Sequence, residues 1–388
     1  MSGEWQQAPE NTLESLKHGI INSDGVEFDL RLSNDGELVI HHDSVVSIPK
    51  EKFEGRPKWV DSWSLDELRD VGVTSFEDFI QDPGVQNQWI EEGKMACLEF
   101  KRPHLLSPNG RGFLNKKRQY RYMSNAMQLA EQILDKNEIP KENSVFYAFF
   151  RGMRQVIEGA EIKRNWAELM PSIPSIGNRT FKRAYAYPQY MTMPFSRLVK
   201  RHRNSGASMI PCAIEYFSPL YGRALIGKKV GLSEKYYDYL STCQRGMPTY
   251  VWPAKPELEH KILNAGLTGL TDYLDPKLTW LPSGNARWNK PGTMPLDNSQ
   301  LELLNSANQE NHISIINQLK EDVPTWKECD KHRRIELVKW WRKKWKWDYE
   351  IDDILANTTN SPPWQSIRLI GHRGSGKTSR PILKNHLI

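Results

Sequence analysis

A (β/α)₈ barrel is the fold class that this 388-residue sequence predicts. Three observations lead there. Short apolar runs alternate with helix-patterned segments over the first 280 residues, the pattern of a parallel sheet with crossover helices. There are about eight such runs, the number that closes a barrel. Two of them carry acidic residues that would gather at the C-terminal ends of strands, where barrels of this kind place their chemistry.

The predicted strands, in order, are GVEFDLRLS (25–33), ELVIHHD (37–43), MACLEFK (95–101), SVFYAFF (144–150), RAYAY (183–187), SMIPCAIEYF (208–217), PTYVWP (248–253) and GLTGLTDY (266–273). SNDG (33–36) between the first two is a turn signal. Helices are predicted at NTLESLKHGI, where Asn and Thr cap a face of Leu13, Leu16 and Ile20, and at 125–136 and 236–246. From about 281 the chain turns rich in Pro and Gly, then helix-like at 298–320 and 326–356, breaks at NSPPW, and ends with a last strand, IRLIG.

With 38% hydrophobic and 26% charged residues, the composition is that of a globular protein, and no run reaches the length of a membrane span. Four scattered cysteines without C-x-x-C spacing argue against a zinc site or a disulfide framework, and the N-terminus lacks the features of a secretory signal. Both point to a reducing, cytoplasmic setting. A net charge of +6 permits an anionic partner without requiring one.

Residues two apart on a strand share a face, so Glu27 and Asp29 point one way, and Glu99 and Lys101 do likewise. Three converging carboxylates suit a hard divalent cation, Mg²⁺ or Ca²⁺, with Lys101 beside it to meet an anion. An isolated E-x-D is more often a solvated strand edge. The apolar residues around these motifs tell against that reading here, because buried like charges need compensation. His41 and His42 face opposite sides of a regular strand, so only one of them can serve a site; a lone His is more often structural, but here Asp43 follows and could orient it.

Together these residues resemble the glycerophosphodiester phosphodiesterase family: PENT at 9–12, VEFDLRLSNDGELVIHHD at 26–43, LEFK at 98–101, and later VW (251–252) and GLTGLTDY. The family's His-Arg-Gly turn, which should precede PENT, stands instead at 372–374. The resemblance therefore implies a circularly permuted TIM (β/α)₈ barrel, cut in its first βα loop, with its first strand at the C-terminus. Residues 1–280 and 365–388 would form that barrel together. Residues 281–364, basic and rich in Trp, would supply the last helix and a linker or insertion. Two departures, Ala148-Phe149 where the family has Ser-Phe and Pro253-Ala254-Lys255 after Trp252, leave the alcohol-binding pocket open.

By this resemblance Glu27, Asp29 and Glu99 hold the metal, while Arg373 and Lys101 hold phosphoryl oxygens. His372 and His42 form the acid/base pair, and Trp252 packs against the apolar part of a small phosphodiester. The product would be an alcohol plus glycerol 3-phosphate or a related monoester.

Three other readings compete. GHRGSGKT (371–378) matches the P-loop pattern, which predicts a helix from about Lys377. The tail could also begin a second copy of the domain, or complete a neighbouring chain's barrel. Finally, residues 327–348 carry nine Lys/Arg against four acids, and six of the fourteen Trp lie between 326 and 364. This is an outer helix with snorkelling lysines or, in a different class of function, a surface for anionic membrane headgroups on an inactive scaffold, with nucleic acid a weaker choice.

Overall fold

The computed structural model describes residues 5–53, 55–111, 116–174, 177–218 and 225–378. Ten strands are described: β1 (Gly25–Leu32), β2 (Leu38–Ile40), β3 (Thr74–Ser75), β4 (Met95–Phe100), β5 (Ser144–Ala148), β6 (Asn165–Glu168), β7 (Ile210–Ala213), β8 (Thr249–Ala254), β9 (Thr268–Thr271) and β10 (Leu369–Gly371). Eight run parallel in the order β6-β5-β4-β1-β10-β9-β8-β7. The circle is completed where Ser208 N–H donates to Trp166 O at 2.8 Å, and where Met170 exchanges bonds with Pro211 and Ala213, each at 3.0 Å. The C-terminal strand thus lies between β9 and β1, in register at Leu369↔Gly269 and Val26↔Gly371.

Alternation along the strands sorts the core. On β1, Val26, Phe28 and Leu30 pack outward with Ala96, Leu98 and Phe100 of β4 against the surrounding helices, leaving Glu27 and Asp29 on the inner face. Cys97, Val145 and Tyr147 pack inside with residues of β7 to β9. Asp24, just before β1, ties the tail in. Its carboxylate accepts from Leu369 N at 3.0 Å, from Thr293 N at 2.7 Å and Thr293 Oγ1 at 2.8 Å, and from Gly292 N.

Two strand expectations are corrected. ELVIHHD contributes only Leu38–Ile40, and this segment runs antiparallel to β1, outside the circle. The four-residue SNDG turn is too short for a parallel crossover, so the chain returns as a hairpin. RAYAY lies inside helix Arg179–Thr192, where Asn178 caps Phe181 N at 2.9 Å, and its Tyr185 and Tyr187 are exposed. The strand that fills the vacated place is β6, NWAE, in which only Ala167 is buried and no alternation could be seen.

Between β9 and β10 the chain forms helices Asn298–Ser306, His312–Asp322, Lys331–Trp345 and Ile351–Leu355. Trp326, Trp341, Trp345 and Trp347 are buried together with Leu337 and Val338 in a small core of their own. Most of the tryptophans in the basic stretch are therefore committed to packing. Among the described residues, no helix is long and apolar enough to cross a membrane, and all four cysteines are free.

Lys94 supplies a pH test of the fold. Its Nζ donates to the carbonyls of Ile20 (2.8 Å) and Ile21 (2.9 Å), at the end of helix Leu13–Asn22. Burial, with Lys290 nearby, pulls its pKa from 10.5 down to about 7. A neutral amine keeps the two donors needed. Between about pH 7 and 10.5 the unfolded chain holds a proton here that the folded chain has released, so this residue makes stability rise with pH across that window. Urea melts at pH 7.5, 8.5 and 9.5 are expected to show a slope of up to about 1.4 kcal/mol per pH unit that Lys94→Met removes.

Candidate active site

The inner ends of β1 and β4 bring three carboxylates together. Asp29 pairs with Glu99 in register, Glu27 lies one inward position earlier, and one oxygen from each falls within 4.8 Å of the others. All three are buried. The Lys101 ammonium bridges two of them, meeting Asp29 Oδ1 at 2.8 Å and Glu99 Oε1.

The electrostatics divide the cluster. Asp29 is held low against the cost of its burial by Lys101 and Arg373, with a hydrogen bond from Asn11 Nδ2 at 2.9 Å. Glu27 is pushed well up by burial and by the Asp29 and Glu99 charges. Glu99 is also raised, chiefly by burial. Three acids that resist ionising together, with inward oxygens a few ångströms apart, match the donor set of Mg²⁺ or Ca²⁺. A divalent cation there relieves the repulsion that burial leaves on Glu27. The residues present therefore fit such an ion.

The turn after β10 closes over this cluster. Arg373 N donates to Glu27 Oε2 at 2.8 Å, its Nε lies 3.4 Å from Asp29 Oδ2, and its Nη1 donates to Glu10 Oε1 at 2.8 Å. The sequence-distant guanidinium and the front-half acids thus meet within one chain. Arg373 takes a left-handed φ of 56°, an uncommon conformation for a residue with a side chain. Gly374 follows at φ 94°, and a Cβ there would stand 2.4 Å from Ser15 Oγ, so only glycine fits.

His372 is buried, with Nδ1 bonded to Asp272 Oδ1 at 2.5 Å and Nε2 3.7 Å from Glu27 Oε2. Burial lowers its pKa, and Asp272 opposes that. His42 lies just past β2 with Nδ1 2.8 Å from Asp43 Oδ1. It lines the cavity into which Glu99 and Lys101 open. His41 points away, with Nε2 3.1 Å from Val45 O. Trp252 is half-buried and stands edge-on to Phe149 at 5.8 Å, and it is Phe149 that lines the cavity.

The P-loop expectation fails on the same turn. Lys377 and Thr378, the last described residues, are not helical, the rest of the expected helix lies outside the described residues, and Lys377 Nζ lies 3.8 Å from Asp272 Oδ2. Three of the N–H groups that would cradle a phosphate are taken: Gly374 on Glu27 O, Ser375 on Ser15 Oγ, and Thr378 on Glu10 Oε2.

Sequence reasoning gave no role to Asp272, Glu10 or Asn11. Asp272 was visible only as an acid near the end of the predicted strand GLTGLTDY. Glu10 and Asn11 were quoted within PENT, but their partners Arg373 and Asp29 are 363 and 18 residues away.

Residues 3–138 match the profile of the glycerophosphoryl diester phosphodiesterase family. A glycerophosphodiester phosphodiesterase of Caldanaerobacter subterraneus subsp. tengcongensis is 31% identical over 80 residues, which are 20% of this chain and 31% of that protein. The chain thus spans about a third of the length of the curated relative it matches. Among solved structures, the glycerophosphodiester phosphodiesterase of Thermotoga maritima is 18% identical, with 67% of this chain and 87% of that one covered and a TM-score of 0.41. A phosphodiesterase of Oleispira antarctica, in complex with the product sn-glycerol-3-phosphate, is 15% identical, with 69% and 89% covered and a TM-score of 0.44. Over residues 3–138, about the first third of its length, the chain is similar to the glycerophosphoryl diester phosphodiesterase family.

Proposed function

We propose that this protein hydrolyses a glycerophosphodiester to an alcohol and glycerol 3-phosphate, using a divalent cation, Mg²⁺ or Ca²⁺, held by Glu27, Asp29 and Glu99. The observation that carries the reading is the seating of His372 and Arg373 from the tail on carboxylates from the front half of the sequence.

When bound, the cation polarises a phosphoryl oxygen and favours the attacking oxygen nucleophile. Arg373, fixed by Glu10 and Asp29, offers its remaining N–H groups to the phosphoryl oxygens, and Lys101 adds a point charge. Asp272 holds the His372 Nδ1 proton, leaving Nε2 to exchange a proton with the reacting oxygen. Asp43 orients His42 in the same manner, so that it can protonate the leaving alkoxide. Phe149, backed by Trp252, offers an apolar wall to the alcohol.

The strand order also supports a circular permutation cut in the first βα loop. The two sides of that cut still bond to each other: Glu10 N to Thr378 Oγ1 at 3.1 Å, and Gln7 Nε2 to Ser375 O at 3.1 Å. Residues 281–364 would then be the segment that joins the family's last strand to its first.

The test is turnover of glycerophosphocholine and glycerophosphoethanolamine with Mg²⁺, Ca²⁺ or EDTA, followed by ³¹P NMR. Activity is expected with metal and not with EDTA, and Glu27→Gln is expected to lower it by about 10²–10³-fold. Calorimetry should show weaker metal binding by the same variant. Equal metal affinity in Glu27→Gln would remove Glu27 from the ligand set. A cyclic phosphate product would identify the substrate's own hydroxyl, rather than water, as the nucleophile.

A further inference from the structure

The cavity that exposes Glu99 and Lys101 has a volume of about 430 Å³ and holds more positive charge than one diester phosphoryl group requires. Arg31, Arg102 and Lys182 line it, beside the face of Phe149. None of the three has a carboxylate ion-pair partner among the described residues. Arg31 spends its donors on backbone carbonyls: Nε and Nη2 on His42 O at 3.3 and 2.8 Å, and Nη1 on Arg102 O at 3.2 Å. Arg102 Nη2 donates to Ile173 O at 2.7 Å. Lys182 rides on the first turn of helix Arg179–Thr192, which brings it over the cavity. The only acids in the lining are already matched, Glu99 with Lys101 and Asp43 with His42.

Burial and crowding act on these cations together. Burial, with Arg151 nearby, brings Arg102 down to about 10. Lys182 is lowered by burial and then by Lys101, Arg102 and Arg31. Glu99 acts on both arginines but is already held by Lys101, so these partly desolvated cations are under-compensated unless a further anion settles among them. Arg373, Lys101 and the cation already answer the single charge of a diester.

We propose that Arg31, Arg102 and Lys182 form a second anion subsite, so that the preferred substrate is a glycerophosphodiester whose alcohol portion itself carries an anionic group. This rests on the phosphodiesterase reading above. The N–H groups that Arg31 and Arg102 have left over, with the Lys182 ammonium, suit a phosphate monoester or a carboxylate, and Phe149 would flank the carbon chain that leads to it.

The test compares kcat/KM for glycerophosphoglycerol, for the same compound phosphorylated on its terminal hydroxyl, and for glycerophosphoglycolate, whose headgroup ends in a carboxylate. Wild type is expected to favour the anionic headgroups by at least about tenfold, the equivalent of about 1.4 kcal/mol. Whichever of the two gains more identifies the group. Arg102→Gln and Lys182→Gln are expected to pull that ratio toward one, and added salt is expected to do the same. Equal kcat/KM for charged and uncharged headgroups would overturn the subsite while leaving the phosphodiesterase reading intact. So would variants that slow all three substrates by one common factor. If none of the diesters is cleaved, the phosphodiesterase reading fails and binding decides the subsite. Titration with pyrophosphate is then expected to be at least about tenfold tighter for wild type than for Arg102→Gln/Lys182→Gln, and equal affinity overturns it.

Discussion

Replacement of His372 by alanine is expected to lower kcat on a glycerophosphodiester by about 10²–10⁴-fold, with a smaller effect on KM. The size follows from what the imidazole does. Its Nδ1 is taken by Asp272, its ring is buried, and its Nε2 is the edge directed at Glu27. Burial keeps the resting ring neutral, which is the form that accepts a proton. Asp272→Asn is expected to cost less, because an amide oxygen can still accept from Nδ1. That variant removes the charge that raises the histidine's pKa, so the acid limb of the kcat/KM profile should move to lower pH. Added imidazole should restore part of the His372→Ala loss, since the missing group is a proton carrier beside an otherwise intact carboxylate cluster. Full activity in His372→Ala would leave the tail a structural role alone.

How much of this was legible beforehand depends on the distance over which each interaction acts. Glu27, Asp29 and Glu99 could be read because their geometry is local. A strand puts residues two apart on one face, and the apolar residues around them, such as Phe28 and Leu98, demanded the opposite face. His372 and Arg373 could be placed only through a familiar motif found at the wrong end of the chain. Nothing in the periodicity of IRLIG says that it sits between β9 and β1. The errors were equally physical. RAYAY alternates aromatic and small residues as a half-buried strand would. Its alanines also suit a helix, and the deciding cap, Asn178, lies five residues before the pattern begins. β6 shows no pattern because its side chains are mostly half-buried, and its place is set by pairing with Val145–Ala148. Asp272 and Glu10 acquire their roles from partners about 100 and 363 residues away, beyond any local rule. The cation wall of Arg31, Arg102 and Lys182 is likewise assembled from a hairpin strand, a loop and a distant helix.

The largest structural effect is expected from the last strand. A chain ending at Gln365 lacks Arg368, Leu369 and Ile370, all essentially inaccessible to solvent, and leaves the carbonyls of Pro362, Pro363 and Trp364 without the Arg368 guanidinium that gathers them. It also exposes the facing edges of β1 and β9, and strands with unpaired N–H and C=O groups invite aggregation. Asp24 would keep its bonds to Gly292 and Thr293 and lose the one to Leu369. Such a chain is expected to show no cooperative thermal transition and to elute as aggregate. The complementary experiment keeps every residue and changes only their order, with Ile388 joined to Met1 and new ends opened at the exposed turn Gln309–Glu310. If the fold depends on where β10 sits and not on when it is made, the reordered chain should melt within a few degrees of the original and bind added Mg²⁺ or Ca²⁺ as the original does. The bonds from Gln7 and Glu10 to Ser375 and Thr378 already bring the front and tail segments together. A cooperative, monomeric melt from the shortened chain would show that β10 is dispensable to the barrel. Collapse of the reordered one would show that the present order of the chain is itself required for folding.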